Sequence, residues 1–284
     1  MIVLIADSGS SKTDWVVLNG AKKEQTCQTT GFNPYFQTKQ QIKEELIKSL
    51  LPELKAWTSK IARIYFYGSG CSNEKNCTLV QHALAESISP NAHIEVSHDL
   101  LAAARALCGN SPGIAAILGT GSNSCLYDGK NIIENVASAG YLWSDHGGGS
   151  QIGKYFIRDY FEGELPTDLK SKFETEGYNR ETILENVYKA PLPSKYLATV
   201  SRFMHSNLEH PHVRKVLLEC FRSFFTQQIM KYSNSTSYKI GIVGSVGYVY
   251  QEIISQVAAD FGYQLGKVLK SPIEGLVDFH INQA

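Results

Sequence analysis

Ile2-Val3-Leu4-Ile5-Ala6-Asp7-Ser8-Gly9-Ser10-Ser11-Lys12-Thr13-Asp14 opens the chain, and Ile114-Ala115-Ala116-Ile117-Leu118-Gly119-Thr120-Gly121-Ser122-Asn123-Ser124 repeats its plan in the middle. Each is an apolar, strand-like run that breaks into a turn of glycines and small hydroxyls. Each then continues into a second apolar run, Trp15-Val16-Val17-Leu18 or Cys125-Leu126-Tyr127. Sliding one over the other sets Ser8 on Thr120, Gly9 on Gly121 and Ser10 on Ser122. Two hairpins with one kind of tip point to a duplicated fold.

Glycines at such a tip let backbone N–H groups approach an anion, and hydroxyls add donors, so a pair of these tips suits a polyphosphate. Neither is a P-loop. Lys12-Thr13 looks like the end of that motif, but Ser11 stands where it needs glycine, and no glycine lies five residues earlier. Taken singly, either tip reads as an ordinary turn, because glycine, serine and asparagine dominate turns.

The 284 residues suit one large or two medium domains, and 43% hydrophobic with 19% charged residues provides an ample core. Lys+Arg and Asp+Glu are equal at 27 each, so no electrostatic footprint for nucleic acid or an anionic membrane is present. A small molecule is the expected partner. The apolar run Ile2–Ala6 ends at Asp7 with no basic residue before it, unlike a signal peptide or a membrane span. A cytoplasmic protein is therefore expected. Six cysteines (27, 71, 77, 108, 125 and 220) contain no C-x-x-C pair, which argues against a zinc site and a disulfide framework.

Along the chain, residues 39–51 carry apolar residues at helical spacing before Pro52, 61–67 reads as a buried strand, 75–87 as a helix and 93–97 as a short strand. That strand delivers Asp99 to the alanine-rich helix 100–107, giving β-β-α-β-α-β-α for the first half. Gly109-Asn110-Ser111-Pro112-Gly113 is the clearest breaker, so domains 1–110 and 111–284 are expected, the last segment being free to pack back on the first. The second half holds the glycine stretch 140–153, helical patterns at 152–160, 180–188, 196–206 and 213–231, a strand at 239–243, the turn Gly244-Ser245-Val246-Gly247 and a helix to Asp260.

With Gly31-Phe32-Asn33, Asp99, Gly140-Tyr141-Leu142-Trp143-Ser144-Asp145 and Gly244-Ser245-Val246 in order after and around the two tips, the chain resembles the actin, Hsp70 and sugar kinase superfamily. Within it, the likeness is to the N-acetylglucosamine kinase-like BadF/BadG/BcrA/BcrD group and spans essentially the whole chain. The resemblance implies an α/β protein of two duplicated ribonuclease H-like domains with an interdomain cleft. It implies a kinase that uses ATP and Mg2+ to phosphorylate the 6-hydroxyl of N-acetylglucosamine or a related amino sugar, and it is compatible with a homodimer.

On that resemblance Asp7 organises magnesium, usually through water, and Ser8, Gly9, Ser10, Ser11, Lys12 and Thr13 embrace the outer phosphates. The family's three glycines are Ser8-Gly9-Ser10 here. Gly119, Thr120 and Gly121 form the second phosphate loop, and Gly244 and Ser245 the adenosine motif. Asp99 takes the place of the catalytic base, with Asn33, Ser122, Asn123, Ala139, Gly140 and Asp145 on the sugar. Read alone, Asp99 is a helix N-cap, Asn33 a turn before Pro34 and Asp145 a loop carboxylate, and His98 is a rival base. Ala139 and His146 replace a family Trp and Glu, which leaves the sugar open. The alternatives are a kinase for glucosamine or N-acetylmuramic acid, a dehydratase-activator ATPase, against which the scattered cysteines argue, and a non-catalytic sensing module, against which Asp7 and Asp99 argue.

Overall fold

A computed structural model describes residues 1–9 and 11–283. Ser10, one of the residues expected at the phosphates, lies outside the described residues. The chain divides into two compact units: unit 1 is Met1–Asn110 with the segment from Ser271 onward, and unit 2 is Ser111–Lys270.

Unit 1 contains β1 (Ile2–Ser8), β2 (Lys12–Asn19), β3 (Lys22–Thr30), α1 (Lys39–Glu45), β4 (Ile61–Gly68), α2 (Glu74–Ser87), β5 (His93–His98) and α3 (Asp99–Cys108). Unit 2 contains β6 (Gly113–Leu118), β7 (Ser122–Tyr127), β8 (Ile132–Asn135), α4 (Gly140–Trp143), α5 (Gly149–Glu162), α6 (Thr167–Thr175), α7 (Arg180–Tyr188), α8 (Pro193–Ser206) and α9 (Pro211–Gln227). It closes with β9 (Ile240–Val243), α10 (Ser245–Val249), α11 (Gln251–Asp260) and β10 (Leu265–Leu269), after which α12 (Ile273–Ile281) belongs to unit 1.

The sheets run β3-β2-β1-β4-β5 and β8-β7-β6-β9-β10. In both, three strands form an antiparallel meander and two more add in parallel beside the first. The order is the same in both units, so the duplication read from the two hairpins is a duplication of topology. The α/β class and its two-unit plan follow.

The alternation of β1 separates its faces. Leu4 and Ala6 join Trp15 and Val17 of β2, Phe66 of β4 and residues of α1 and α2 in one buried cluster. Trp15, Phe32 and Phe66 lie with ring centroids 5.9–6.3 Å apart in that cluster, which fastens the Gly31-Phe32-Asn33 turn to the sheet. The parallel strands β1, β4 and β5 end on the same edge, and ligands of open α/β sheets gather beyond such carboxyl ends.

Three differences from the sequence reading have physical causes. β3 carries Lys22-Lys23-Glu24-Gln25 and only Thr29 is buried in it, because it is an edge strand and shows no apolar alternation. The short β8 is an edge strand too. The hairpin alignment is also two residues out: the last paired residues are Ser8 with Thr13 in one hairpin and Leu118 with Ser122 in the other. Ser8 therefore stands level with Leu118 rather than Thr120, and Gly9 with Gly119.

Candidate active site

In unit 1 the carboxyl end of β1 presents Asp7, whose cross-strand neighbour on β2 is Asp14. The carboxyl end of β5 presents Asp99, the first residue of α3. Burial, followed by the charges of Asp14 and Asp99, pushes the Asp7 carboxyl from 3.8 up to about 7, and Lys12 opposes this only weakly. The reason is local: Lys12 is spent on Asp14, with Nζ at 2.7 and 3.0 Å from its two carboxylate oxygens. The result is a site short of positive charge, which fits a hydrated magnesium ion bound through one or two carboxylates. Among the described residues no group of three or more His, Cys, Asp or Glu gathers at metal-binding spacing. Asp7 is thus the residue that would hold the ion, with water completing its shell.

Asp99 is not the N-cap. His98 fills that position, its Nδ1 accepting the Leu101 N–H at 3.3 Å. Asp99 is left free of the capping task, half-buried, with its pKa raised by burial and lowered in part by His98 and the backbone N–H groups of Leu100 and its own. The same cap disposes of His98 as a rival base. An Nδ1 that accepts leaves the proton of a neutral imidazole on Nε2, where it donates, and burial lowers the His98 pKa so that the neutral form prevails.

The first hairpin differs from expectation at two side chains. Ser8 and Thr13 are fully buried. Thr13 Oγ1 donates to the Thr30 carbonyl (3.0 Å), lies 2.7 Å from Ser8 Oγ, and Ser8 Oγ accepts the Phe32 N–H (3.0 Å). Their hydroxyls tie the tip to the Phe32 turn and are not donors to a phosphate, a correction to the sequence reading. Alternation forces this, because Ser8 shares a face with Leu4 and Ala6. Gly9, Ser11 and Lys12 are the exposed described residues of the tip, and Gly9 N–H closes it on the Lys12 carbonyl at 3.0 Å. Asn33 Oδ1 accepts the Tyr35 N–H (3.0 Å), and its side chain lies against Gly70, which leaves the amide Nδ2 for a ligand.

Unit 2 gathers the other half of the expected residues around the carboxyl end of β6. Gly119 and Thr120 accept the Gly149 and Ser150 N–H groups through their carbonyls, each at 2.8 Å, so the loop is docked on the first turn of α5. Gly244 (φ +123°) abuts the Leu118 carbonyl and Gly119 N, a contact that a Cβ would fill. This brings the Gly244-Ser245 turn against the Gly119-Thr120-Gly121 loop, with Thr120 and Ser245 both exposed.

Asp145 is buried and has a left-handed backbone (φ +59°), rare for a residue other than glycine. Its Oδ1 accepts the Ser122 N–H (3.2 Å) and the Ser138 hydroxyl (3.0 Å), leaving Oδ2 free. Gly121 makes room for it: a Cβ there would stand 2.6–2.9 Å from the carboxylate atoms. Ser138, which aims Asp145, was not singled out from the sequence, and nothing in its own context marks it. Ser122 is buried, with Oγ accepting from Gln228 Nε2 at 3.2 Å, which ties its hydroxyl to the end of α9. Asn123 Oδ1 accepts from Ser124 N (2.9 Å) and Asn135 Nδ2 (3.0 Å), leaving its own amide nitrogen free. Ala139 and Gly140 are exposed beside this loop, and His146 is turned to Ser223 and Gln151.

No family model and no curated protein sequence matches the chain. Among solved structures, a Porphyromonas gingivalis protein named "Putative N-acetylglucosamine Kinase" is 39% identical over 99% of both chains, with a TM-score of 0.94. A Chromobacterium violaceum protein of the same name is 14% identical over 98% of both chains, with a TM-score of 0.70. ROK hexokinase from Thermus thermophilus is 11% identical over 100% of both chains, with a TM-score of 0.62. The last two show the fold. At 39% identity over nearly its whole length, the chain belongs to the family of the first, the N-acetylglucosamine kinase-like proteins, within the fold of the actin-like ATPases and sugar kinases.

Proposed function

We propose that the protein is an ATP-dependent kinase that transfers the γ-phosphate to the 6-hydroxyl of N-acetylglucosamine. The observation that carries the reading is Asp99: a half-buried carboxylate at the end of a parallel strand, released from capping by His98 and raised in pKa by burial. A carboxylate in that condition is a better proton acceptor than an ordinary aspartate, since base strength rises as pKa approaches neutrality.

Asp99 takes the proton from the sugar hydroxyl as that oxygen bonds to the γ-phosphorus. The bond from phosphorus to the β–γ bridging oxygen breaks, and ADP leaves with its electron pair. Asp7 would hold magnesium, which would supply positive charge to the phosphates. Ser11 of one tip and Thr120 and Gly121 of the other supply N–H donors, the Gly9 and Gly119 N–H groups hold the two tips in shape, Gly244 and Ser245 meet the nucleoside, and Asn33, Asn123 and Asp145 hydrogen-bond sugar hydroxyls. Each such group matters because a buried hydroxyl without a partner costs about 1–3 kcal/mol.

The test is ADP release with N-acetylglucosamine, glucosamine, N-acetylmuramic acid and glucose. N-acetylglucosamine giving the highest kcat/KM supports the reading. Turnover of another sugar with none of N-acetylglucosamine overturns the substrate, and no sugar-dependent release overturns the activity.

A further inference from the structure

We infer that unit 2 carries a second small-molecule site, a cavity of about 690 Å³ beside the Gly140–Trp143 turn, that takes an amphipathic anion with a carboxylate head and an aliphatic body. The cavity is walled by α5, α7, α8 and the turn, and none of Asn123, Ala139, Gly140 or Asp145 lines it. It lies within the size range of small-molecule pockets, about 300–1,000 Å³.

The lining explains the ligand class. Leu142, Ile157, Ile183, Leu184, Val187 and Leu197 make an aliphatic wall. The charged residues in it, Lys154, Arg158 and Arg180, are all cations. Arg158 is neutralised by Asp159 at 2.8 Å. The other two are not: among the described residues neither Lys154 nor Arg180 has a carboxylate at ion-pair distance, and the Asp145 carboxylate acts on Lys154 only from further away. Arg180 lies over the Phe161 ring as a cation–π pair, its guanidinium carbon 5.5 Å from the ring centroid. Lys154 Nζ donates to the Tyr141 carbonyl, and burial lowers its pKa. Two cations at the rim of an apolar hollow, with no carboxylate in contact with either, suit an anion, and the aliphatic wall suits a hydrocarbon body behind it.

The site also touches the turn on which Asp145 depends. Lys154 holds the Tyr141 carbonyl, while Ser144 Oγ accepts the Ala139 N–H at 2.7 Å and lies 3.2 Å from Ser138 Oγ, the hydroxyl that aims Asp145. An anion that takes Lys154 for itself removes one of the anchors of this turn, and Trp143, 80% exposed on it, reports the change.

The experiment is calorimetric titration of decanoate and of uncharged decanol into the full chain, with Trp143 fluorescence followed in parallel. Saturable one-to-one binding of decanoate, about tenfold tighter than decanol, and a fluorescence change absent from Trp143→Phe, is the expected result. Arg180→Ala should weaken decanoate about tenfold and leave decanol unchanged, whereas Val187→Trp, which fills the cavity, should weaken both. Both substitutions fall at exposed or half-buried positions of α7. No saturable binding of decanoate, equal affinity for decanoate and decanol, or binding untouched by both variants overturns the inference. None of these readouts depends on turnover of a sugar.

Discussion

Replacing Asp7 by Asn should make the nucleotide-free protein more stable while disabling it. The Asp7 carboxyl is raised from 3.8 to about 7 in the folded chain, chiefly by burial and then by Asp14 and Asp99. Below pH 3.8 the group is protonated whether the chain is folded or not, so it contributes nothing. As pH rises, the unfolded chain ionises first, and the folded chain must either hold the proton or accept a buried charge. The penalty grows up to about pH 7 and is constant above it. Three pKa units at 1.36 kcal/mol each set a ceiling of about 4 kcal/mol, and the partial exposure of Asp7 brings the expected gain at pH 8 to about 2–4 kcal/mol. Thermal melts of the wild type and Asp7→Asn at pH 4, 6 and 8 read this directly. The variant should melt several degrees higher at pH 8, and the advantage should shrink towards pH 4. Saturating magnesium and ATP should stabilise the wild type more than the variant and so close the gap, by mass action. A variant less stable than wild type at pH 8, or an advantage as large at pH 4 as at pH 8, would refute the reasoning.

Three further outcomes follow from single contacts. Because Asp99 must be ionised to accept a proton and its pKa is raised, kcat at saturating magnesium and ATP should fall as pH drops through a value above the usual aspartate range; an acid limb at the ordinary aspartate pKa would contradict the raised value. Gly121→Ala puts a Cβ 2.6–2.9 Å from the Asp145 carboxylate, the end of a short side chain that can swing aside. The fold should survive while the sugar loses a charged hydrogen bond, so kcat/KM for sugar should drop about 10–150-fold with the KM for ATP unchanged. Ala139→Trp, at an exposed position next to Gly140, should narrow the range of N-acyl groups accepted by about 10–200-fold in relative kcat/KM, and an unchanged ranking would place residue 139 away from the sugar.

The duplicated fold was legible because each unit opens with a hairpin whose apolar strands alternate or stay buried, and because glycine marks each tip. Asp7 and Asp99 were legible by position, each at a strand end. What the sequence did not reveal was direction. Ser8, Thr13 and Ser122 carry hydroxyls suited to a phosphate or sugar, yet strand alternation turns them inward to Phe32, Thr30 and Gln228. Ser138 matters only through a hydrogen bond to Asp145 that no spacing encodes, and the capping role of His98, which separates it from Asp99, appears only in the hydrogen bond to Leu101. The edge strand β3 escaped because its solvent-facing residues are as polar as those of a loop.

The central claim is that Asp99 is the base in transfer of phosphate to the 6-hydroxyl of N-acetylglucosamine. Phosphorus and proton NMR of the product made from ATP and N-acetylglucosamine, by wild type and by Asp99→Asn, tests it most directly. The account predicts one product phosphorylated at the 6-position, formed about 10²–10⁴-fold more slowly by the variant, with sugar binding nearly unchanged. Phosphate at any other position, or a variant that keeps more than about a tenth of wild-type turnover, would contradict it.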